Sequence, residues 1–154
     1  MSTLIAPTKS AKTAELMTEN WLRNVFPSDL YTVTGYAGTS ADTDADLTPS
    51  VVVEHLHPQG GADATPLLVV EVSDRPLSAA DIEDAGRHAA AGVRDFWVIE
   101  VKERRVHVFR DPRPDPDATH GSSYKQVRVY GQFALIAPLA AEIHLAQVVN
   151  LLPW

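Results

Sequence analysis

The chain has 154 residues, of which 45% are hydrophobic, so it is long enough to bury a core of its own. It contains no cysteine, which excludes disulfides and thiolate metal sites. Its net charge of −7 argues against tight non-specific binding to nucleic acid, which usually needs a basic surface. No segment approaches the ~20 apolar residues that span a bilayer, and the amino terminus lacks the apolar core of a secretory signal. We expect one domain over residues 1–154, in the cytoplasm, with no membrane partner.

A first helix is predicted over residues 11–26, after an N-terminal tail of residues 1–10. Pro27 ends this helix, because proline cannot continue the hydrogen-bond ladder. The helix is expected to be amphipathic, since apolar side chains recur near helical spacing: Leu16, Met17, Trp21, Leu22 and Val25.

Three strands are predicted next, over residues 30–36, 51–57 and 67–72. Residues 38–48 are rich in Gly, Thr, Ser and Asp, which predicts a loop between the first two strands. The third strand is a β-branched run without alternation, typical of a strand that is buried on both faces. Glu71 near its end must therefore be paired, protonated or bound to a cation, because an isolated buried carboxylate is very costly.

A helix is predicted to follow the third strand. Ser78 is its expected N-cap, with Asp81 near the positive end of the helix dipole, and Gly92 supplies a left-handed stop. The helix should connect to a parallel strand over residues 96–101 through a right-handed crossover. Small apolar residues on one side should bring it close to the sheet: Ile82, Ala85, Ala89 and Val93.

The last third of the chain predicts further strands. The strand over residues 105–109 alternates, which places Arg105 and His107 on a solvent face. Residues 111–123 hold three prolines and several acids, and are predicted to be a flexible loop before a strand over residues 126–130. The order of the elements indicates an α/β or α+β fold with a mixed central sheet.

Three segments, residues 68–72, 91–99 and 104–109, resemble the Uma-type restriction endonuclease family. The resemblance covers roughly residues 12–150, and a Gly-Val-x-x-(Tyr/Phe)-Trp-Val element, here residues 92–98, is its most specific part. Members have the PD-(D/E)xK nuclease fold. The resemblance therefore implies a restriction-endonuclease-like mixed central sheet flanked by helices.

The family motif comprises Pro-Asp before a strand, then Glu-Val-x-Ser, then a lysine on the next helix. Two neighbouring carboxylates hold Mg²⁺ or Mn²⁺ through oxygen ligands. The ion lowers the pKa of the attacking water and neutralises charge on the phosphate. The lysine orients that water or stabilises the developing charge. The resemblance thus implies metal-dependent hydrolysis of DNA as the family's activity.

The match to this motif holds at only one of the three catalytic positions. Glu71 matches the strand acid, but Ser50 occupies the first acid's position and Asp84 that of the lysine. Asp46 could supply the missing metal ligand beside Glu71, and Glu54 is an alternative. Two readings stay open for each of these acids: Glu71 is a metal ligand or a paired acid at the sheet rim, and Asp84 is a site residue or a helix-surface partner of a neighbouring base.

Three functions are compatible with these residues. The first is a nuclease-like protein that has lost catalysis and acts as a binding or interaction module. The second is an active Mg²⁺-dependent DNA endonuclease with a rearranged site. The third is a protein-binding function that uses the acidic helix and the C-terminal residues 151–154 as its surfaces. DNA, a protein partner and a second copy of the chain, in a homodimer, are the partners that these readings imply.

Overall fold

The computed structural model describes residues 8–35 and 50–153. Its main elements are α1 (Lys9–Val25), β1 (Tyr31–Gly35), β2 (Ser50–His55), β3 (Leu68–Ser73), α2 (Ala79–Asp84), α3 (Gly86–Ala90), β4 (Asp95–Glu100), β5 (Arg105–Pro114), β6 (Ser122–Gly131), β7 (Leu135–Ile136) and β8 (Ala146–Gln147). Short 3-10 turns occupy residues 61–64, 139–141 and 148–151. Because α1 begins at Lys9, the predicted tail of residues 1–10 extends too far into the chain.

A six-stranded sheet with the order β1-β2-β3-β4-β5-β6 forms the centre of the molecule. The pair β3–β4 is parallel, and the other pairs in this sheet are antiparallel. The predicted crossover between parallel strands is therefore confirmed, with α2 and α3 in the connection. The mixed α+β architecture with helices beside a mixed sheet is confirmed as well.

The two faces of the sheet are covered by different parts of the chain. On one face, α1 and the C-terminal turn pack on a large apolar cluster that includes Val70, Trp97 and Leu151. On the other face, Ala85 and Val93, which flank α3, pack in a smaller cluster with Val69 and Phe96. Because successive side chains of a strand point to opposite faces, the side chain after Val70 in β3 points toward the α3 face.

The helix of the crossover begins as predicted but is interrupted. Ser78 and Asp81 form a reciprocal capping box at the start of α2, and Gly92 has the left-handed φ of 85° that was expected. The helical hydrogen-bond pattern breaks at Ala85, between α2 and α3. Ala85, Ala89 and Val93 are buried, whereas Ile82 is exposed, so the predicted apolar stripe is wrong only at its first position.

The predicted flexible loop of residues 111–123 is wrong at both ends. β5 continues to Pro114, β6 begins at Ser122, and the backbone N–H of Asp115 donates to the carbonyl of Gly121 at 2.9 Å. The prolines fit into β5 because its pairing with β4 ends at Arg110. Beyond that point β5 has a free edge, where a missing N–H breaks no ladder.

Two predicted surfaces also differ from the structure. Leu16 on α1 is 52% exposed, while the helix turns its small residues, with Glu15 and Thr18, toward the sheet. At the C-terminus, Leu151 and Leu152 are buried in the large cluster. Those two leucines therefore do not form a protein-binding surface, and Trp154 lies outside the described residues.

Candidate active site

Ser50 and Glu71 are direct cross-strand neighbours in the sheet. Ser50 is the first residue of β2 and is paired with Glu71 of β3 in the antiparallel register. Residues opposite one another in such a pair present their side chains on the same face, with Cβ atoms about 5 Å apart. The structure therefore brings these two sequence-predicted residues together, with one hydroxyl and one carboxylate at the position where the resemblance implies two carboxylates.

The carboxylate of Glu71 bonds to a histidine of the crossover helix. Nε2 of His88 in α3 lies 3.2 Å from Oε2 of Glu71, and the two side chains are 24% and 27% exposed. The imidazole ring stacks on Phe96, with ring centroids 4.2 Å apart, so the ring is fixed between the carboxylate and the sheet. The sequence analysis missed this pair. The sequence gives one indication of the pair: Glu71 lies on the strand, and His88 on the helix, of the same strand–helix crossover.

Asp84 lies at the end of α2, and its contacts are with Arg87 and His120. Its Oδ2 accepts a hydrogen bond from Nη2 of Arg87 at 2.7 Å, and its Oδ1 lies 3.8 Å from Nε2 of His120. The side chain is 55% exposed. The helix-surface reading with Arg87 as partner is therefore confirmed for Asp84, and the structure does not pair this residue with Glu71.

The remaining motif positions lie elsewhere. Asp46, the predicted second metal ligand, lies outside the described residues. Asp74, which replaces the serine of the family motif, accepts hydrogen bonds from the hydroxyl and the backbone N–H of Thr8, at 2.6 and 3.2 Å. That contact ties the end of β3 to the start of α1. Within residues 8–35 and 50–153, no group of three or more His, Cys, Asp or Glu side chains has an arrangement that could hold a metal ion.

A second acidic centre, Glu100, lies on the same face of the sheet as Glu71. Its carboxylate is buried at the end of β4 and accepts hydrogen bonds from the backbone N–H of Leu77 at 2.7 Å, from Arg105 and from His107. Burial raises the pKa of Glu100, but the hydrogen bonds from Arg105, Leu77 and His107 outweigh burial and hold this pKa below its usual value.

The prediction that His107 faces solvent is wrong. The residue is only 9% exposed, because β5 lies inside the sheet between β4 and β6 and contributes to the surface that α3 covers. Alternation along a strand identifies two faces, but it does not show whether the more polar face is covered. His107 is instead a buried partner of Glu100.

The fold thus places an acid, Glu71, on a six-stranded mixed sheet beside the helix of its parallel crossover. The model of the Uma2 family, described as "Putative restriction endonuclease", matches residues 13–146. The chain therefore belongs to the Uma2 family.

A solved structure supports the same fold. The chain is similar to a putative nuclease belonging to DUF820 from Anabaena variabilis ATCC 29413, with a TM-score of 0.61 and 13% identity. The similarity covers 94% of this chain and 81% of the other. No curated protein matches the sequence. Of the helices in the described ranges, none combines the length and the hydropathy that crossing a bilayer requires.

Proposed function

We propose that this protein keeps the restriction-endonuclease-like fold but is catalytically impaired, and that it acts as a binding or interaction module. The observation that carries this proposal is the bond between Glu71 and His88. The one acid that matches the family motif is held by a histidine, in a place where the resemblance implies a metal ion between two acids. DNA and a protein, including a second copy of the chain, are the partners we propose for the module.

The ligand set beside Glu71 is poor for Mg²⁺ or Mn²⁺. Mg²⁺ requires octahedral oxygen coordination and is usually held by one or two carboxylates together with waters and substrate phosphates. Ser50 offers a neutral hydroxyl in place of the first carboxylate. A metal ion would also have to displace His88, or share Glu71 with it, at the cost of an existing hydrogen bond.

The charge at the lysine position is reversed. Asp84 is acidic and already bonded to Arg87, and the chain has no lysine between Lys12 and Lys102. Lys12 lies on α1, which packs on the opposite face of the sheet from Glu71. Loss of one electrostatic contributor to a transition state typically costs about 3 kcal/mol, or 10²–10³ in rate. The missing cation is therefore a second reason to expect impaired hydrolysis, separate from the poor set of metal ligands.

An active Mg²⁺- or Mn²⁺-dependent DNA endonuclease with a rearranged site is the alternative. The observation that favours it is that Glu71 remains about a quarter exposed, beside Ser50 and His88, at the position where the resemblance implies the catalytic centre. His88 would then replace the lysine in orienting water, and Asp46 would complete the metal ligands.

Incubation with supercoiled plasmid DNA in the presence of Mg²⁺ or Mn²⁺ separates the two functions. We expect no nicking by the wild-type protein and no difference between wild type, Glu71→Ala and the control Glu142→Ala, which removes an exposed acid far along the chain. Nicking that is lost in Glu71→Ala and kept in Glu142→Ala would contradict the proposal and establish the alternative.

The same protein preparations also show whether the module binds DNA or a protein. Salt-dependent retardation of DNA without cutting would assign DNA as the partner, because phosphate contacts release counterions and weaken as salt rises. A discrete oligomer in size-exclusion chromatography, without DNA binding, would assign a protein partner, with the homodimer as its simplest form.

A further inference from the structure

A cleft of about 150 Å³ opens on the α1 face of the sheet, over β5 and β6. This is the opposite face from Glu71. The register places Arg110 of β5 opposite Gln126 of β6, and Val108 opposite Arg128. Because alternate residues of a strand share a face, Gln126, Arg128 and Tyr130 form a row of polar side chains along one wall.

These three side chains have no partners among the residues that the structure describes. Among residues 8–35 and 50–153, neither the guanidinium of Arg128, the amide of Gln126 nor the hydroxyl of Tyr130 has a hydrogen bond or an ion pair. Together they present up to eight N–H or O–H donors to the cleft, about five of them from the arginine alone. A row of unused donors without an acid is suited to an anion.

Arg110 is held in place at the other wall. Its Nε donates to Oδ1 of Asp95 at 2.9 Å, and its Nη2 donates to the carbonyl of Ala137 at 2.7 Å. The N–H groups of Nη1 are not used by these bonds. Asp95 is itself fixed by Trp97 and by the backbone N–H of Leu139. Because Asp95 balances the charge of Arg110, the cleft as a whole carries about one positive charge, that of Arg128.

The β6 side of the cleft is free of acids in the sequence. The chain carries 20 acidic residues, yet none falls between Asp117 and Glu142, a stretch that contains all of β6. An anion bound along β6 therefore meets no carboxylate from this strand, and Asp95 at the other wall is already paired with Arg110.

We propose that this cleft binds a single phosphate group that carries one negative charge, as a phosphodiester does. Guanidinium groups match phosphate oxygens with paired, charge-assisted hydrogen bonds. The volume is below the roughly 300 Å³ at which pockets begin to enclose drug-sized ligands, so it accommodates the phosphate and leaves the rest of the ligand outside. The phosphate belongs either to a nucleic-acid backbone or to a free phosphate compound. The site does not depend on the proposed function, because it lies across the sheet from Glu71.

Two variants with the same change of charge test the site. Arg128→Gln removes the cation of the cleft. Lys125→Gln removes a cation from the same strand at a position that does not line the cleft. Both side chains are exposed, so both variants should fold, which circular dichroism and thermal unfolding will verify.

Amide chemical shifts in two-dimensional NMR are followed while inorganic phosphate, or a short single-stranded oligonucleotide, is added at constant ionic strength. We expect resonances of β5 and β6 to shift in wild type and in Lys125→Gln, with binding at least about tenfold weaker in Arg128→Gln. The proposal is wrong if phosphate leaves the wild-type spectrum unchanged, or if both variants weaken binding equally.

The oligonucleotide identifies the source of the phosphate. Tighter binding of the oligonucleotide than of inorganic phosphate, with the same dependence on Arg128, supports a nucleic-acid backbone as the ligand. Equal or weaker binding supports a free phosphate compound. Oligonucleotide binding that depends on Lys125 and not on Arg128 would overturn the assignment of this cleft.

Discussion

Glu15 and Glu19 each direct a carboxylate oxygen at the same point above the Cα of Gly35. A Cβ atom on that glycine would overlap both oxygens, so the absence of a side chain there creates the space that they occupy. Glu15 is only 4% exposed, and its Oε1 has no hydrogen-bond partner among the described residues. Burial and the nearby negative charge of Glu19 both disfavour the ionised form of Glu15, so they raise the pKa of this carboxyl group.

The first prediction follows from the raised pKa of Glu15. Burial, the negative charge of Glu19 and the hydrogen bond with Glu19 raise the pKa of Glu15 from 4.5 to about 7. Between these values the folded protein keeps a proton that the unfolded chain has lost. The free energy of unfolding should therefore fall as pH rises from about 4.5 to 7, by a total on the order of 3 kcal/mol.

Urea unfolding at several pH values checks this dependence. Glu15→Gln keeps the shape and supplies a permanent N–H donor to Glu19, so its stability should change much less with pH and should exceed that of wild type at pH above 7. Glu142→Gln removes an exposed carboxylate and should keep the wild-type slope. A wild-type slope in Glu15→Gln would show that the proton is held elsewhere.

A second prediction restores the family motif. Ser50→Asp adds a carboxylate opposite Glu71, and Asp84→Lys adds the helix cation, so the double variant carries the acid, acid and lysine set that the resemblance implies. We expect it to gain Mg²⁺-dependent nicking of supercoiled plasmid, at least about 10²-fold above wild type. Adding Glu71→Ala to the double variant should abolish the gain. An equally inactive double variant, folded by circular dichroism, would show that other parts of the site are also lost.

A third prediction concerns the buried carboxylate of Glu100. Glu100→Ala leaves the backbone N–H of Leu77 and the side chains of Arg105 and His107 without their common acceptor. Breaking a buried ion pair by removing one partner typically costs 3–5 kcal/mol, so the free energy of unfolding should fall by about 3 kcal/mol or more. The exposed Glu103→Ala, three residues away, should change it by less than about 0.5 kcal/mol. Chemical unfolding of both variants measures the difference.

A fourth prediction concerns the close approach of α3 to β6. A Cβ atom on Gly86 would lie 2.8 Å from the backbone carbonyl oxygen of Ser122, so α3 or β6 must move to admit it. Overpacking of this kind costs about 1–3 kcal/mol, which exceeds the roughly 1 kcal/mol that alanine gains over glycine in a helix. Gly86→Ala should therefore lower the midpoint of thermal unfolding.

Gly131→Ala is the matched control for Gly86→Ala. A Cβ atom on Gly131 has no neighbouring atom within 4 Å, so this variant should unfold at the wild-type temperature. Equal midpoints for the two variants would mean that the contact between Gly86 and Ser122 yields without cost.

The local signals in the sequence were reliable where one short segment decides the structure. The cap at Ser78, the stop at Gly92 and the buried run that ends near Glu71 depend on residues a few positions apart, and the structure has them. On α1, the spacing of the large apolar residues correctly predicted that Trp21, Leu22 and Val25 pack in the core, but it was wrong for Leu16, which is exposed. The same face of the helix also carries small residues and Glu15 into the interior.

The contacts of the candidate site were beyond local reasoning. His88 reaches Glu71 across 17 positions of the chain, and the orientation of that helix is set by packing on Phe96 rather than by the helix sequence. Likewise, His107 and Glu100 meet only because β5 folds back on β4 in a register that places both on the covered face. A pattern of alternation assigns residues to faces, and the packing of other elements decides which face becomes interior.

The order of strands in the sheet has a consequence for how the molecule reaches its native state. Each strand of β1 to β6 is a neighbour of the next one in the chain, and the β5–β6 hairpin closes over a connection of only seven residues, 115–121. Such local pairings form early, since little chain entropy is lost in closing them. The parallel pairing of β3 with β4 has to wait for the whole crossover to collapse. We therefore expect the docking of α2 and α3, and with it the meeting of Glu71 and His88, to be a late step that limits the folding rate.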